Sequence, residues 1–457
     1  MKVNVIPHHR RTGGDPLCPS EDTLTIVCSV PHEGLFLCYT LSIEVKIMFQ
    51  LRPQQKEFLF LTQQHSRMLT VAPTSAGKSI MMIASAQKIL QQDSNATILV
   101  VAPKILLAQQ LSDEFEKYIS NVNIIHVHSG DTKHTRIVDF LELAYHWETT
   151  PGAKIIFTTY HSLHKIVQAE LDIHVTYLDE AHNAVNRRFF DAVKSISQTS
   201  KNFYSMTATP KFSQVVSKPG NNDAEVFGSK IFSVKAPELI ENGSILPPQT
   251  SVMEVSSFRD KENAAERDFY TLCDCILNDD DMNKVLVVAP NTKVLTQMLS
   301  NTSFIPEMQE NGYDVLWITA KHGAFVNGRK VKRDEFLDTL AEYGADSNRK
   351  FVVLHIGILT EGISVPGIQS CIFMRNQNFI STVQSIGRCI RVNPEDTARM
   401  KSGDLCPGDF SNYIKPFGKV VIPVYSNKVG IATARRVQHV VDEVFIKGNF
   451  VADVITK

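Results

Sequence analysis

The chain has 457 residues, with 47 Lys and Arg against 48 Asp and Glu, a net charge of −1 with histidine neutral. Its 43% hydrophobic and 21% charged residues exclude a fibrous or disordered chain and leave room for about three ordinary domains or two large ones. A charge so near zero excludes coating of nucleic acid by bulk charge, while leaving a local basic channel open.

In chain order, residues 1–47 stand apart. They carry His8-His9-Arg10-Arg11, a Gly/Pro-rich turn between Gly13 and Pro19, and no sustained period. The preferred reading is an extension ahead of a start at Met48; the rival is a small accessory unit with strands in Thr23–Val30 and Leu35–Ile47. The apolar stretch Gly34–Ile43 falls short of the ~18 residues a membrane-spanning helix needs. It also lies too far in for a secretory signal. Eight irregularly spaced cysteines, with Cys273 and Cys275 lacking partners at zinc spacing, read as reduced thiols. A soluble, intracellular protein without a membrane partner is expected.

From Met48, short β-branched or apolar runs predict strands at Met68–Val71, Ile98–Ala102, Lys154–Thr158, Val175–Leu178 and Asn202–Met206. Helical periods fill Ser79–Gln91 and Lys104–Ile119. This alternation predicts an α/β fold with a parallel sheet. The rhythm restarts after the Pro/Gly-bearing stretch Gly243–Gln249, with strands at Val285–Ala289, Val315–Ile318, Phe351–His355, Cys371–Met374 and Lys419–Val424. Helices are expected at Lys293–Leu299, Lys332–Tyr343, Ser381–Arg388 and, as one amphipathic tail, Ile431–Ile446. The expected organisation is an extension (1–47), a first α/β domain (48–235), a linker (236–262), a second α/β domain (263–425) and a C-terminal helix (426–457).

Ala72-Pro73-Thr74-Ser75-Ala76-Gly77-Lys78-Ser79 follows a predicted strand and opens a predicted helix. Such a loop wraps nucleotide phosphates in backbone N–H groups, aided by the helix N-terminus. Pro73 to Ser79 are the expected ATP-binding residues: Gly77 permits close approach, Lys78 reaches the β- and γ-phosphates, and the Ser79 hydroxyl ligates Mg²⁺. Roughly a hundred residues further, the strand Val175–Leu178 ends in Asp179-Glu180-Ala181-His182. Carboxylates at a strand end beside a phosphate loop suit metal holding and proton removal. Asp179 is expected to hold Mg²⁺ through water, and Glu180 to act as general base.

These two elements resemble motifs I and II of the superfamily 2 helicases and translocases, the DExH group. Five further stretches resemble that family's other motifs, making seven in order. Leu51-Arg52-Pro53-Gln54-Gln55 resembles the element in which Gln55 would read adenine. Pro103 to Gln110 resembles motif Ia, Ser205 to Pro210 motif III, Thr360 to Pro366 motif V with Ser364 where Asp is usual, and Gln384 to Arg391 motif VI. The resemblance implies two tandem RecA-like domains with ATP bound in the cleft between them. It implies catalytic roles for Lys78, Asp179, Glu180, Gln384, Arg388 and Arg391, and coupling through His182, Thr207, Thr209 and Gly362. Nucleic-acid contacts are expected at Gln110, Thr159 and Thr360, and a Gly-bearing loop flanked by Lys321-His322 and Arg329-Lys330 is a further candidate.

Motif VI carries Ser385 and Ile390 where RNA-directed members carry other residues, and Glu238 to Pro248 is similar to the link of the phage UvsW-type and XPB-type DNA helicases. The expected partner is therefore DNA, single-stranded or branched duplex, in preference to RNA. Two alternatives are an RNA-directed DExH helicase and a restriction-modification motor subunit, which would need a partner chain for cleavage. A degenerate, non-enzymatic binding module is opposed by the intact Lys78, Asp179, Glu180 and Arg391.

Overall fold

The structure is a computed structural model that describes residues 27–28, 39–40, 51–357, 367–449 and 453–455. The chain divides into two compact units, residues 1–50 and 51–457. In the first, Val27–Cys28 pairs antiparallel with Tyr39–Thr40, inside the two stretches with strand character.

The second unit holds two eight-stranded sheets among its described residues. The first has the order Lys230–Ser233, Arg67–Val71, Asn202–Thr207, Val175–Leu178, Thr97–Ala102, Lys154–Thr159, Asn123–Val127 and Thr135–Arg136. All its pairings are parallel. Thr97–Ala102 and Lys154–Thr159 are buried at every position, as central strands covered on both faces must be, and this is why their sequences run apolar without alternation. Leu99, Val101, Ile125, Ile156, Val193 and Phe203 share one core.

The second sheet runs Pro248–Val255, Gly418–Tyr425, Ser370–Phe373, Lys284–Val288, Lys350–His355 and Tyr313–Thr319, all parallel. Gly323–Val326 and Arg329–Val331 then extend it as an antiparallel hairpin. The α/β class and the two parallel sheets match expectation, as do most predicted strands to within a residue or two.

Three stretches differ. Pro248–Val255, inside the span read as linker, is the edge strand of the second sheet, paired along its length with Gly418–Tyr425. Its polar residues alternate with half-buried ones and it opens on proline, tolerated at the start of an edge strand, so it lacks the apolar run that marks a central strand. The stretch read as a Gly-bearing loop is the antiparallel hairpin. Its turn is Asn327-Gly328, both at positive φ (49° and 79°), as a two-residue hairpin turn matching strand twist requires. The tail is helical over Ile431–Val440 and widens to a π-helix over Val441–Ile446. Asp453–Ile455 then pairs with Lys211–Ser213 of the first half, so the tail reaches back across both sheets. Among the described residues no helix is long and apolar enough to cross a membrane.

The functional loops leave neighbouring strands at one edge. Arg67–Val71, Asn202–Thr207 and Val175–Leu178 are adjacent and parallel, so the segments after Val71, Thr207 and Leu178 emerge side by side. Carboxyl ends of parallel strands are where such folds build their sites.

Candidate nucleotide site between the two sheets

Residues 72–77 turn from the Arg67–Val71 strand into the helix Lys78–Gln92. Two backbone positions make this turn: Ser75 at φ +71° and Gly77 at φ +85°. Only glycine fits the second. A Cβ there would lie 2.3 Å from Gln55 Nε2, whose amide donates to the Gly77 carbonyl at 3.5 Å. Gln55 Oε1 accepts from the Arg52 N–H at 2.9 Å, capping the helix Pro53–Leu61. Gln55 therefore braces the loop, and reading a base would require it to exchange these bonds. The Lys78 ammonium folds onto its own loop, donating to the carbonyls of Ala72 (3.1 Å) and Pro73 (3.5 Å).

Asp179 and Glu180 follow the Val175–Leu178 strand, and Glu180 takes a left-handed φ of +46°. Both are buried. The turn is tied from three sides: Tyr160 OH donates to Asp179 O (2.8 Å), Asn221 Nδ2 to Ala181 O (2.9 Å), and Asn183 Nδ2 to Glu180 O (3.1 Å). Two adjacent buried carboxyls cannot both ionise cheaply. Burial and the Glu180 charge push Asp179 up to about 7. For Glu180 burial acts upward too, but the Lys78 ammonium, the His182 hydrogen bond and charge, and Arg388 outweigh it and hold it at about 2. The pair thus resists carrying two charges at once, with Asp179 the member pushed up and Glu180 the member held down.

The expected coupling residues meet. His182 Nδ1 lies 3.1 Å from Thr207 Oγ1 and 3.4 Å from Glu180 Oε2, and Thr207 Oγ1 accepts from the Thr209 N–H at 3.1 Å. The Asn183 amide lies beside His182 Nε2 at 3.1 Å. A carboxylate change at Glu180 is in this way one side chain from the segment after Asn202–Thr207.

The second half supplies the opposite wall. The helix Phe379–Cys389 presents Gly387 to the loop: Ser75 Oγ donates to Gly387 O (3.3 Å) and accepts from Arg391 Nε (3.2 Å). A Cβ on Gly387 would stand 2.6 Å from Thr74 Cβ, so this approach needs glycine. Arg388 is buried; burial, with the Arg391 charge beside it, pulls its guanidinium down to about 9, against the opposing pull of Glu180. Burial also lowers Arg391, against the charge of Glu114. Both amide atoms of Gln384 and the hydroxyls of Thr74 and Thr209 are buried and make no hydrogen bond among the described residues. Buried polar atoms of this kind are available to a polar ligand, and a polyphosphate offers the oxygens to meet them. Ser79 and Asp179 are hard oxygen donors of the type Mg²⁺ prefers.

Lys78, Glu180, His182, Thr207, Thr209, Arg388 and Arg391 are thus linked by these contacts and charges to one another and to the loop at Ser75, Asp179 adjoins Glu180, and Gln384 lies buried on the same helix as Arg388. Thr159 ends the Lys154–Thr159 strand and is buried, while Gln110 lines a separate groove with Asp113, Lys133, Asp334 and Asp338. Thr360, Gly362 and Ser364 lie outside the described residues. Spacing did not reveal Asn221 or Glu114. Asn221 accepts from Lys211 N and donates to Ala181 O, clasping two motifs. Burial raises the Glu114 carboxyl against the charges of Lys117 and Arg391. Neither has a local signal, because each acts on residues distant in sequence.

Residues 47–212 match the family model described as "Type III restriction enzyme, res subunit". A protein of Sulfolobus islandicus filamentous virus (isolate Iceland/Hveragerdi), named as a candidate helicase, is 21% identical over 351 residues, 70% of this chain and 57% of that protein. Among solved structures, the ATP-dependent Type ISP restriction-modification enzyme LlaBIII, bound to DNA, is similar with a TM-score of 0.63 at 15% identity, over 90% of this chain and 31% of the enzyme. Mss116p bound to ssRNA and AMP-PNP is similar with a TM-score of 0.56 at 14% identity, over 90% of this chain and 76% of that one. The chain therefore spans little more than half of its viral relative and under a third of the restriction enzyme.

Proposed function

We propose that this chain is a superfamily 2 helicase or translocase that hydrolyses ATP in the cleft between its two sheets and uses the cycle to move on DNA, a reading supported by the family model matched at residues 47–212 and by the similar solved folds. The observation that carries the reading is the direct contact of Ser75 with Gly387 and Arg391, which sets the phosphate loop of one sheet against the arginines of the other.

The residues divide the work. Loop N–H groups from Thr74 to Ser79 and the Lys78 ammonium bind the phosphates, Lys78 leaving the carbonyls of Ala72 and Pro73 to do so. Ser79 and Asp179 would hold Mg²⁺, which when bound supplies charge neutralisation at the phosphate oxygens. Glu180, kept ionised by Lys78, His182 and Arg388, accepts the proton of the attacking water. Gln384 orients polar groups at the γ-phosphate, and Arg388 and Arg391 stabilise charge building on the transferred phosphoryl group. Loss of that phosphate removes the ligand bridging the two sheets, and the His182–Thr207–Thr209 chain passes the change to the first sheet. Lys78→Ala is expected to abolish turnover and weaken ATP binding at least tenfold, because a phosphate charge partner worth roughly 1.5–3 kcal/mol is lost. Normal turnover in a malachite-green assay would remove the loop from the mechanism.

DNA is favoured by the motif VI form and the linker. Ser385 and Ile390 are both buried, Ser385 bonding Gln377 and Ser381, so they act through packing rather than by touching nucleic acid. The similar Type ISP enzyme is bound to DNA and Mss116p to ssRNA, so the fold serves either. ATPase stimulation by single-stranded, duplex and forked DNA and by matched RNA is the test. Forked DNA is expected to stimulate most, independently of sequence and less as salt rises, as phosphate recognition requires. Stronger stimulation by RNA, with forked DNA inert, overturns the DNA reading and leaves the ATPase standing. A second reading, the motor of a restriction-modification assembly, is favoured by the family model matched at residues 47–212; ATP-dependent cleavage of unmodified DNA on adding a nuclease partner would select it.

A further inference from the structure

Beyond the end of the helix Phe379–Cys389, three successive carbonyls are all held. The Lys415 ammonium donates to the carbonyls of Cys389 and of Arg391, the latter at 3.2 Å, and to that of Ile368 at 2.7 Å. The carbonyl between them, Ile390 O, accepts from Leu246 N at 2.8 Å. Leu246 belongs to the turn Gly243–Pro247, whose Ser244 in turn accepts from Arg52 and Gln54 beside the phosphate loop. Lys415 is buried, and Asp396, which binds its backbone N–H, is ion-paired to Arg399. A buried ammonium whose side-chain donors all go to backbone carbonyls fixes backbone direction, and here the backbone is that of Arg391.

We propose that Lys415 is a positioning residue for Arg391: it sets the backbone from which the guanidinium reaches across the cleft to Ser75. A generic helix cap would stop at Cys389, whereas Lys415 spans the cap, Arg391 itself and Ile368, which leads into the neighbouring strand. Gly418 packs so tightly on Cys389 that a Cβ would lie 2.6 Å from its carbonyl, leaving the segment little freedom except through Lys415. Burial, with the Arg391 charge adding to it and Cys389 opposing, pulls the Lys415 ammonium down to about 8. The groups around it are Arg388 and Cys389 on the helix, Arg391 beyond it, Asp396 on the next helix and Cys371 behind Cys389. Arg388 is pulled down to about 9, Cys389 is pushed up to about 11 and Cys371 far above its usual value.

The inference rests on Arg391 acting in hydrolysis, and the test separates the two. With saturating DNA, Lys415→Met is expected to lower kcat by on the order of a hundredfold, as misplacement by an ångström does, with KM for ATP little changed. Lys415→Arg restores most of the rate. In an Arg391→Ala background Lys415→Met costs nothing further. A loss of equal size in the Arg391→Ala background, or a Lys415→Arg rate no better than that of Lys415→Met, overturns the proposal; where Lys415→Met does not fold, Lys415→Gln takes its place in the same comparison. If the wild-type chain turns over no ATP, the functional reading fails by itself. Amide exchange then decides the positioning: faster exchange over residues 388–393 in Lys415→Met but not Lys415→Arg supports it, and unchanged exchange refutes it.

Discussion

Arg391→Ala is expected to reduce ATP turnover by roughly 10³- to 10⁵-fold while leaving ATP affinity within a few-fold of wild type. On the proposed reading most phosphate contacts would come from the loop of residues 73–79, Lys78 included, on the first sheet, so binding is expected to survive. The transition state is different: negative charge spreads over the phosphoryl oxygens, and the compensating guanidinium must come from the second sheet. Arg391 is already placed for this, its Nε 3.2 Å from Ser75 Oγ on the phosphate loop. Lysine is a poor substitute because a single ammonium cannot hold both the Ser75 hydroxyl and a phosphate oxygen in one planar fork, so Arg391→Lys should recover little. Single-turnover hydrolysis beside fluorescent-ATP binding makes the measurement. Parallel losses of binding and turnover would show that Arg391 holds the two sheets together without entering the chemistry.

Glu180→Gln should lower turnover by about 10² to 10⁴ through loss of the proton acceptor. ATP remains bound, and the nucleic-acid complex outlives that of the wild type because the closed state no longer discharges. The electrostatics sharpen the expectation. Glu180 is the carboxylate that Arg388 and Lys78 both stabilise, so a neutral glutamine leaves the buried Arg388 and the half-buried Lys78 without it. Bound ATP supplies replacement charge, and the variant should therefore bind ATP at least as tightly as the wild type. Asp179 is also freed from the neighbouring charge that raises it, so it ionises at lower pH in the variant. Filter retention of a labelled fork during an ATP chase reports the lifetime. A variant that fails to bind ATP would sink the assignment of Glu180 as the base.

Much of this site is legible in the chain because its chemistry is local. A phosphate loop needs glycine where φ turns positive and lysine immediately after, so Gly77-Lys78-Ser79 announces itself. Asp179 and Glu180 announce themselves because they end an unbroken apolar strand, and strands buried on both faces are the easiest elements to read. The edge strand Pro248–Val255 was not legible for the opposite reason: half its side chains face water, and its stability comes from Gly418–Tyr425, which lies over 160 residues away. The hairpin at Asn327-Gly328 did carry a local signal, but its strands are only four and three residues long.

What the sequence determined by itself is the class of fold, the phosphate loop, the acidic pair and the arginine motif, since each is written in neighbouring residues that share one element. Packing of distant segments decided that Ser75 meets Gly387 and Arg391, that Asn221 clasps the acidic turn, that Glu114 feels the charge of Arg391, and that Lys415 and Leu246 hold the carbonyls around Arg391. These contacts join residues tens to hundreds of positions apart and consist largely of side chains bonding backbone carbonyls. Every residue carries such a carbonyl, so no residue type marks the partner in advance, and the pairing exists only once the two sheets and the segments between them have packed.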